Sequence, residues 1–387
     1  MYKINSFLPT RIIFEVGAVN KLPKKAKKLG KKSMIVTGRH STKKSGLLDR
    51  VQKLLNEAGI ASIVFDKVIP NPLSTHVDEA ADIAKKENID FVIGLGGGSP
   101  IDSAKSIAVA SANERNIWDY FDVTKNYKPE KALPIIAITT THGTGTEADP
   151  FTVLTNPETK EKIGTGFDVT FPTVSLVDPE LMLTLPKDQT VYTSMDAFYH
   201  CIEAFLNQEA NPYSDIIALD AMKRIVTNLP LAYEKLNDLE ARTELTWANT
   251  EGGIVQTVTG VIVNHAIEHG LSGYYQEITH GLGLCITGPY LFEHIFEEVY
   301  KKLAIVGREV FSVNEYNDRR AAKLMIAKLR FFQKQFDLNQ KLSELGVKKD
   351  DLKSMASTAY KTMRGVITPT PGNLKEEDLL TILESSY

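Results

Sequence analysis

The stretch Ile89-Asp-Phe-Val-Ile-Gly-Leu-Gly-Gly-Gly-Ser-Pro-Ile-Asp102 joins an apolar run to a glycine-rich turn. Residues 89–95 predict a buried strand, and Ser99 and Pro100 are residue types that favour the start of a helix. Such a turn presents backbone N–H groups and the positive end of a helix dipole to a phosphate. Ser99 takes the place of the third glycine of the dinucleotide fingerprint, so the turn alone is as typical of a tight connection as of a nucleotide site.

Strands and helices alternate around this turn. Further strands are predicted at 11–16, 33–37, 61–65, 134–139 and 174–177, a hairpin at 151–155 and 161–165, and helices at 46–58 and 76–87. This alternation is typical of a mainly parallel sheet with helices on both faces, so we expect a Rossmann-like α/β N-terminal domain.

Beyond Pro186 the predicted strands cease. Helical spacing is found at 189–207, 214–229, 232–252 and 319–342, which predicts an all-α C-terminal domain. A chain of 387 residues is also too long for one ordinary core. We therefore expect a nucleotide-binding domain at 1–184 and a metal- and substrate-binding domain at 185–387, with the nucleotide facing the second domain across a cleft.

The composition is that of an ordinary globular protein. Hydrophobic residues make up 43% of the chain, charged residues 24%, and the net charge is -3. This balance favours neither a nucleic acid nor an anionic membrane as partner. The two cysteines, Cys201 and Cys285, form no CxxC pair, and no apolar run reaches the roughly 20 residues that span a bilayer. We expect a cytoplasmic protein with reduced thiols.

Five polar residues between positions 196 and 280 are candidates for a metal site. Asp196 and His200 are four residues apart in a helical segment, as are His265 and His269, and His280 follows beyond a loop. Each pair alone is typical of an ordinary polar contact on a helix. Together, and in mostly apolar surroundings, these nitrogen and oxygen donors favour a divalent metal.

Four motifs, in this order along the chain, carry a resemblance to a known family. They are Gly94-Leu-Gly-Gly-Gly-Ser-Pro-Ile-Asp-Ser-Ala-Lys-Ser-Ile-Ala108, Thr139-Thr-Thr-His-Gly-Thr-Gly-Thr-Glu-Ala-Asp149, Met195-Asp-Ala-Phe-Tyr-His-Cys-Ile-Glu-Ala-Phe205, and Ile267-Glu-His with Ile278-Thr-His-Gly-Leu-Gly-Leu-Cys-Ile286. With them the sequence resembles the iron-containing alcohol dehydrogenase family, in its butanol dehydrogenase-like branch. The resemblance spans most of the chain.

The resemblance implies roles for the metal-site candidates. Asp196, His200, His265 and His280 would bind the metal, expected to be Fe²⁺ with Zn²⁺ or Ni²⁺ as alternatives. His269 would be catalytic, lying near the nicotinamide and the substrate oxygen, where an imidazole can relay a proton near neutral pH. The loop between His269 and His280 is one residue longer than the family pattern.

The resemblance also implies a set of cofactor contacts. The predicted contacts are Gly38, Asn71, Gly97, Gly98, Ser99, Asp102, Thr140, Thr141, Thr144 and Lys162. His142 departs from the small residue that the family more often has there, so it either alters the pocket or points outward. Arg39 and Ser41 follow the strand that would meet the adenosine ribose, where no acidic residue occurs before Asp49. This favours NADP(H), with NAD(H) possible; the alternative is that Arg39 is merely solvated.

The function predicted from these features is a metal-dependent alcohol dehydrogenase or aldehyde reductase. It would transfer a hydride between NAD(P)(H) and a short-chain primary alcohol or aldehyde, with dimers or larger homo-oligomers implied by the resemblance. One alternative is a dehydroquinate synthase-like lyase or cyclase, but the Lys and Arg residues that would hold a phosphorylated substrate are not beside the candidate ligands. A metal-free reductase or a non-catalytic binding protein fits the ligand set less well.

Overall fold

The computed structural model describes residues 4–387, which fall into two compact units. The α/β unit contains Phe7–Pro186 and Lys235–Ile254, and the helical unit contains Lys187–Glu234 and Val255–Tyr387. The predicted fold class, an α/β domain followed by an all-α domain, is confirmed. The predicted domain limits, 1–184 and 185–387, stay a prediction, and the structure shows in addition that Lys235–Ile254 packs with the α/β unit.

The α/β unit is built on a parallel sheet. Among residues 4–387, six strands pair in the order β1-β8-β5-β4-β2-β3, and β6 and β7 form a separate antiparallel hairpin. Their bounds are β1 Arg11–Phe14, β2 Lys32–Gly38, β3 Ala61–Val68, β4 Phe91–Gly96, β5 Ile135–Thr139, β6 Phe151–Thr155, β7 Lys162–Gly166 and β8 Val174–Val177. Each strand predicted from the sequence is found, with small shifts at the ends.

Two apolar cores cover the faces of this sheet. Side chains alternate along a strand, so Met34 of β2 belongs to one core and Ile35 to the other, and Val92 and Ile93 of β4 divide in the same way. Burial on both faces explains why these strands are continuous apolar runs. The helices of this part of the chain are α1 Leu22–Ala26, α2 Ser41–Lys44, α3 Leu47–Glu57, α4 Ser74–Lys86, α5 Gly98–Ala112 and α6 Trp118–Phe121.

Helix α5 starts directly after the glycine-rich turn and packs closely on the sheet. A Cβ atom at Gly94 of β4 would lie 2.8 Å from the Cα atom of Ile101, so this position needs a glycine. Pro100 to Ala110 are buried without interruption, because α5 is covered on all sides. The N-terminus of α5 is thereby fixed at the carboxyl ends of the central strands.

The remaining part of the described chain is helical. The bounds are α7 Lys187–Leu206, α8 Pro212–Glu234, α9 Leu239–Thr259, α10 Val263–Tyr274, α11 His280–His294, α12 Phe296–Glu309, α13 Asp318–Lys334, α14 Leu352–Thr362, α15 Arg364–Ile367 and α16 Glu376–Ser385. Helices α7, α10 and α11 are buried over most of their length, so they form the centre of the helical unit. None of the helices within residues 4–387 is long and apolar enough to cross a membrane.

Two predicted helices have the wrong bounds. The helix expected at 232–252 is divided, because α8 runs on to Glu234 and α9 starts at Leu239, where the carboxylate of Asp238 accepts the N–H of Ala241 at 3.1 Å. The helix expected at 319–342 ends at Lys334, and Asp337 then takes a left-handed φ of 56°. In both places a local turn ends the helix, although the helical spacing of apolar residues continues beyond it in the sequence.

Candidate metal centre and nucleotide-binding loops

Three of the four predicted ligands converge on an oxygen atom of the fourth, Asp196, in the helical unit. The Nε2 atoms of three histidines lie close to Oδ1 of Asp196, at 3.6 Å for His200, 3.8 Å for His265 and 3.5 Å for His280. Asp196 and His200 are on α7, His265 is on α10, and His280 is the first residue of α11. The helix packing thus brings together residues that are 84 positions apart or fewer, as the sequence predicts.

The chemistry of this cluster fits a divalent cation. Oδ1 of Asp196 and Nε2 of His265 are buried and have no hydrogen-bond partner among residues 4–387. Buried polar atoms are nearly always paired, since leaving them unpaired costs free energy. A cation coordinated by imidazole nitrogens and a carboxylate oxygen would satisfy both atoms at once.

Burial and the charges of neighbouring side chains have opposite effects on the pKa values of Asp196 and His265. Burial raises the pKa of Asp196, but the neighbouring imidazoles of His200, His280 and His265 outweigh it and hold that pKa well below its usual range. Burial lowers the pKa of His265, yet the carboxylates of Glu203 and Asp196 outweigh it and raise the pKa of His265 to about 10. A cation that binds Nε2 of His265 would therefore have to displace a proton.

His269 lies next to this ligand set. It follows His265 by one turn of α10, is 7% exposed, and its ring centroid is 5.6 Å from that of His280. Its nearest ring nitrogen lies within 4.8 Å of ligand atoms of Glu268 and His280. Its predicted role beside the substrate oxygen stays a prediction; the structure shows that its imidazole lies next to that of His280.

Two buried glutamates that the sequence analysis did not single out orient the ligands. Nδ1 of His265 donates to Oε1 of Glu203 at 2.8 Å, while Oε2 of Glu203 accepts the backbone N–H of Ile262 at 3.0 Å. Nδ1 of His280 donates to Oε2 of Glu268. Both carboxylates are fully buried. These bonds leave Nε2 of each imidazole directed at Asp196, an arrangement common around bound metals.

A signal for Glu203 is present in the sequence. Asp196, His200 and Glu203 follow one another at spacings of four and three, so they share one face of α7. Glu268 follows His265 by three residues, so it lies on the same side of α10, but the spacing does not reveal that its partner is His280 of another helix.

Glycines beside His280 allow α11 to approach its neighbours. A Cβ atom at Gly281 would lie 2.0 Å from the backbone oxygen of Tyr192, and one at Gly283 would lie 2.9 Å from Cγ of Glu268. The longer loop before His280 is held by the hydroxyl of Tyr275, which accepts the N–H of Lys348 at 2.9 Å. The additional loop residue therefore does not remove His280 from the cluster.

In the α/β unit, the two loops predicted to bind the cofactor touch each other. A Cβ atom at Gly97 would lie 2.8 Å from Cγ2 of Thr141, and one at Gly98 would lie 2.6 Å from Cγ2 of Thr144. The N–H of Thr140 donates to the backbone oxygen of Gly96 at 2.9 Å. Both loops follow parallel strands at their carboxyl ends, the usual position for ligands in such sheets. The contact leaves no room for side chains at Gly97 and Gly98.

Asp102 supports the second loop through its own hydrogen bonds. Its Oδ1 accepts the hydroxyl of Thr146 at 2.7 Å, and its Oδ2 accepts the N–H of Val153 at 3.0 Å. Burial raises the pKa of Asp102 to about 6. Lys105, one turn further along α5, is fully buried and also donates to the hydroxyl of Thr146, at 2.7 Å. Lys162, the remaining predicted contact of this region, is buried at the start of β7.

Three of the predicted cofactor contacts, Gly38, Arg39 and Ser41, lie at the end of β2. Gly38 ends this strand, and Arg39 and Ser41 after it are exposed. Asn71, between β3 and α4, has a left-handed φ of 52°. Ser41 and Thr140 both line a cavity of about 130 Å³, whose other lining residues are Thr42, Ser45, Gly46, Leu47, Arg50, Glu180, Leu181 and Thr184. The structure thus brings Ser41 and Thr140 together.

Comparison with known proteins gives the family. Residues 9–179 match the model "Iron-containing alcohol dehydrogenase", and residues 190–387 match the C-terminal model of the Fe-containing alcohol dehydrogenase family. The chain therefore belongs to the iron-containing alcohol dehydrogenase family, and it is a metal-dependent oxidoreductase of the alcohol dehydrogenase class. This confirms the resemblance and the predicted reaction class.

Relatives of similar length support this assignment. The chain is 35% identical to the NAD-dependent methanol dehydrogenase of Bacillus methanolicus, over 92% of this chain and 93% of that protein. It is 33% identical to NADH-dependent butanol dehydrogenase A of Clostridium acetobutylicum, over 100% of both. An archaeal halo-thermophilic alcohol dehydrogenase from a Red Sea brine pool superposes with a TM-score of 0.96 at 33% identity, over 100% of both chains.

Proposed function

We propose that this protein is an iron-dependent alcohol dehydrogenase that uses NAD(H) to interconvert short-chain primary alcohols and aldehydes. The observation that carries the proposal is the convergence of three imidazole Nε2 atoms on Oδ1 of Asp196, at 3.5 to 3.8 Å. The proposed ligands are Asp196, His200, His265 and His280. Iron is proposed from the family, since the donor set itself also suits zinc or nickel.

Different residues of this chain would bind the cation, hold the cofactor and transfer the proton. When bound, a divalent cation would supply positive charge that stabilises the negative charge developing on the alcohol oxygen. The backbone N–H groups of Gly97 to Ser99 at the start of α5 would hold the pyrophosphate of the cofactor. The imidazole of His269, next to the ligand set, would accept the hydroxyl proton of the alcohol and return it in the reverse direction.

NAD(H), rather than the NADP(H) favoured by the sequence analysis, is the proposed cofactor. The relatives from Bacillus methanolicus and Clostridium acetobutylicum are named as NAD- or NADH-dependent. Lys43, one of the two lysines after β2, forms an ion pair with Asp66. Arg39 is exposed, which fits the alternative that its side chain is solvated.

The proposed substrate class rests on the relatives. The apolar residues Phe198 and Ile267, on the helices that carry the candidate ligands, are fully buried within the helix packing, so they do not define a substrate pocket. Three of the relatives are named for methanol, butanol and 1,3-propanediol, which are short alcohols, and one from Thermoanaerobacter ethanolicus is named for long-chain primary alcohols. A homo-oligomer, dimer or larger, and a cytoplasmic location stay predictions from the sequence.

The test is an assay of metal-stripped protein with butanal. Consumption of NADH or NADPH is followed anaerobically before and after Fe²⁺ or Zn²⁺ is added. We expect turnover only with metal, faster with NADH, and lost in His265→Ala. His294→Ala serves as the matched control, because His294 lies at the other end of α11 and pairs with Asp378 at 3.0 Å. Turnover by the metal-free protein, or by His265→Ala at the wild-type rate, would refute the proposed site.

A further inference from the structure

The segment Lys235–Ile254 packs with the α/β unit although it lies between parts of the helical unit in sequence. It contains the first part of α9, which contacts the threonine loop, defined here as residues 140–147. Arg242, Asn249 and Gly253 follow one another at spacings of seven and four, so they lie on one face of α9. Each of the three meets the threonine loop.

The first contact joins Arg242 to His142. Both residues are fully buried, and Nη1 of Arg242 lies 2.9 Å from Nε2 of His142. A guanidinium can only donate, so His142 accepts and must be neutral. Burial and the charge of Arg242 lower the pKa of His142 to about 3, so the contact persists at physiological pH. His142 therefore points neither outward nor into a pocket, but into the protein interior.

The second set of contacts lies two turns further along α9. Oδ1 of Asn249 accepts the N–H of Gly145 at 2.8 Å, and its Nδ2 donates to Oε1 of Glu147 at 2.8 Å. The hydroxyl of Thr250 donates to the same oxygen at 2.8 Å. At Gly253 an added Cβ atom would lie 2.1 Å from the backbone oxygen of Gly145, so helix and loop touch backbone to backbone.

The opposite side of the threonine loop meets the glycine-rich turn. Thr141 and Thr144 pack on Gly97 and Gly98 so closely that neither glycine could carry a side chain. A small shift of the threonine loop would therefore either leave a gap beside the glycine-rich turn or fill the space that we assign to the pyrophosphate. The loop has little freedom of its own once α9 holds it at His142, Gly145 and Glu147.

We propose that Arg242 and Asn249 are positioning residues for the nicotinamide cofactor, which act from α9 by fixing the shape of the threonine loop. The inference rests on the proposed function, because it takes the threonine loop and the glycine-rich turn as the cofactor site. Neither residue needs to touch the cofactor. Their effect is on how well the loop is prepared to bind it, which is an effect on affinity rather than on the chemical step.

The test compares NADH affinity with metal affinity in Arg242→Met, His142→Ala and the double variant. Loss of one buried hydrogen bond should weaken NADH binding about tenfold, seen in the dissociation constant and in KM, with kcat and metal affinity within about twofold of wild type. Because Arg242 acts through His142, the double variant should be no weaker than Arg242→Met. Thr243→Ala, at a half-buried position of the same helix whose hydroxyl donates to the backbone oxygen of Leu239 at 2.7 Å, should change nothing.

A second variant covers the case in which Arg242→Met does not fold. Gly253→Ala favours the helix but places a methyl group against the backbone oxygen of Gly145. It should also weaken NADH binding about tenfold while leaving metal affinity unchanged. If Gly253→Ala and Arg242→Met both fold and bind NADH with wild-type affinity, the inference is overturned but the proposed function is not. Failure of the wild-type protein to bind NADH would overturn the proposed function as well.

Discussion

Replacement of Glu203 by glutamine tests whether the buried carboxylates prepare the metal site. The variant keeps the shape of the side chain but removes its charge. Oε1 of Glu203 now accepts from Nδ1 of His265 at 2.8 Å, and Oε2 accepts backbone N–H groups of Ile262 at 3.0 Å and His265 at 3.4 Å. A glutamine offers one oxygen and one NH₂ group, so at least one of these donors would face another donor.

The size of the effect follows from these contacts. A hydrogen bond to a buried charged group contributes about 1.5–3 kcal/mol, and one such bond is lost. If the loss falls on the metal-loaded state, the affinity for the cation decreases roughly 10- to 150-fold. Changes to residues that hold metal ligands in other proteins reduce affinity about 10- to 100-fold, which is the same range.

The assay is competition between the protein and a chromophoric chelator for Zn²⁺ or Co²⁺ at fixed pH, with Fe²⁺ measured anaerobically. Glu209→Gln is the matched control, because Glu209 lies just beyond α7 and is exposed. Its affinity should equal that of the wild-type protein. A folded Glu203→Gln variant that binds the cation within about twofold of wild type would show that Glu203 does not prepare His265.

Three further predictions follow from other parts of the structure. Metal affinity should fall as the pH falls below about 10, because the raised pKa of His265 means that metal binding expels a proton. Calorimetry in buffers of different ionisation enthalpy counts the protons that are released on binding. Metal binding near pH 7 without proton release would contradict this prediction. Gly281→Ala should lower the free energy of unfolding by about 1–3 kcal/mol in urea melts, because its Cβ would meet the backbone of Tyr192, whereas Gly365→Ala, with nothing within 4 Å, should not. Arg39→Asp should raise the ratio of kcat/KM for NADH to that for NADPH, because a carboxylate repels the 2′-phosphate; an unchanged ratio means that residue 39 does not face the ribose.

The sheet and the pairing of the candidate ligands Asp196 and His200 could be predicted from the sequence because their signals are local. The run at Phe91–Gly96 and the turn after it identify a buried strand and a helix start within a few residues of each other. The spacing of Asp196 and His200 places two donors on one face of α7 without any knowledge of the other helices.

The parts that sequence reasoning missed depend on distant contacts. Arg242 and His142 are 100 residues apart, and nothing in the surroundings of either indicates the other. The partner of Glu268 comes from α11, so its role is visible only when the helices are packed. The predicted preference for NADP(H) relied on residue types alone, namely Arg39, Ser41 and the absence of an acidic residue before Asp49, and a residue type does not fix where an exposed side chain points.

The division of the chain has a consequence for synthesis on the ribosome. The α/β unit begins at Phe7, yet its last segment, Lys235–Ile254, is translated only after the first two helices of the helical unit. Domains usually fold as they emerge, N-terminal first. Here the threonine loop lacks its contacts with Arg242 and Asn249 until residue 254 has left the exit tunnel. A nascent chain arrested before that point should hold the sheet but remain protease-sensitive at residues 140–147.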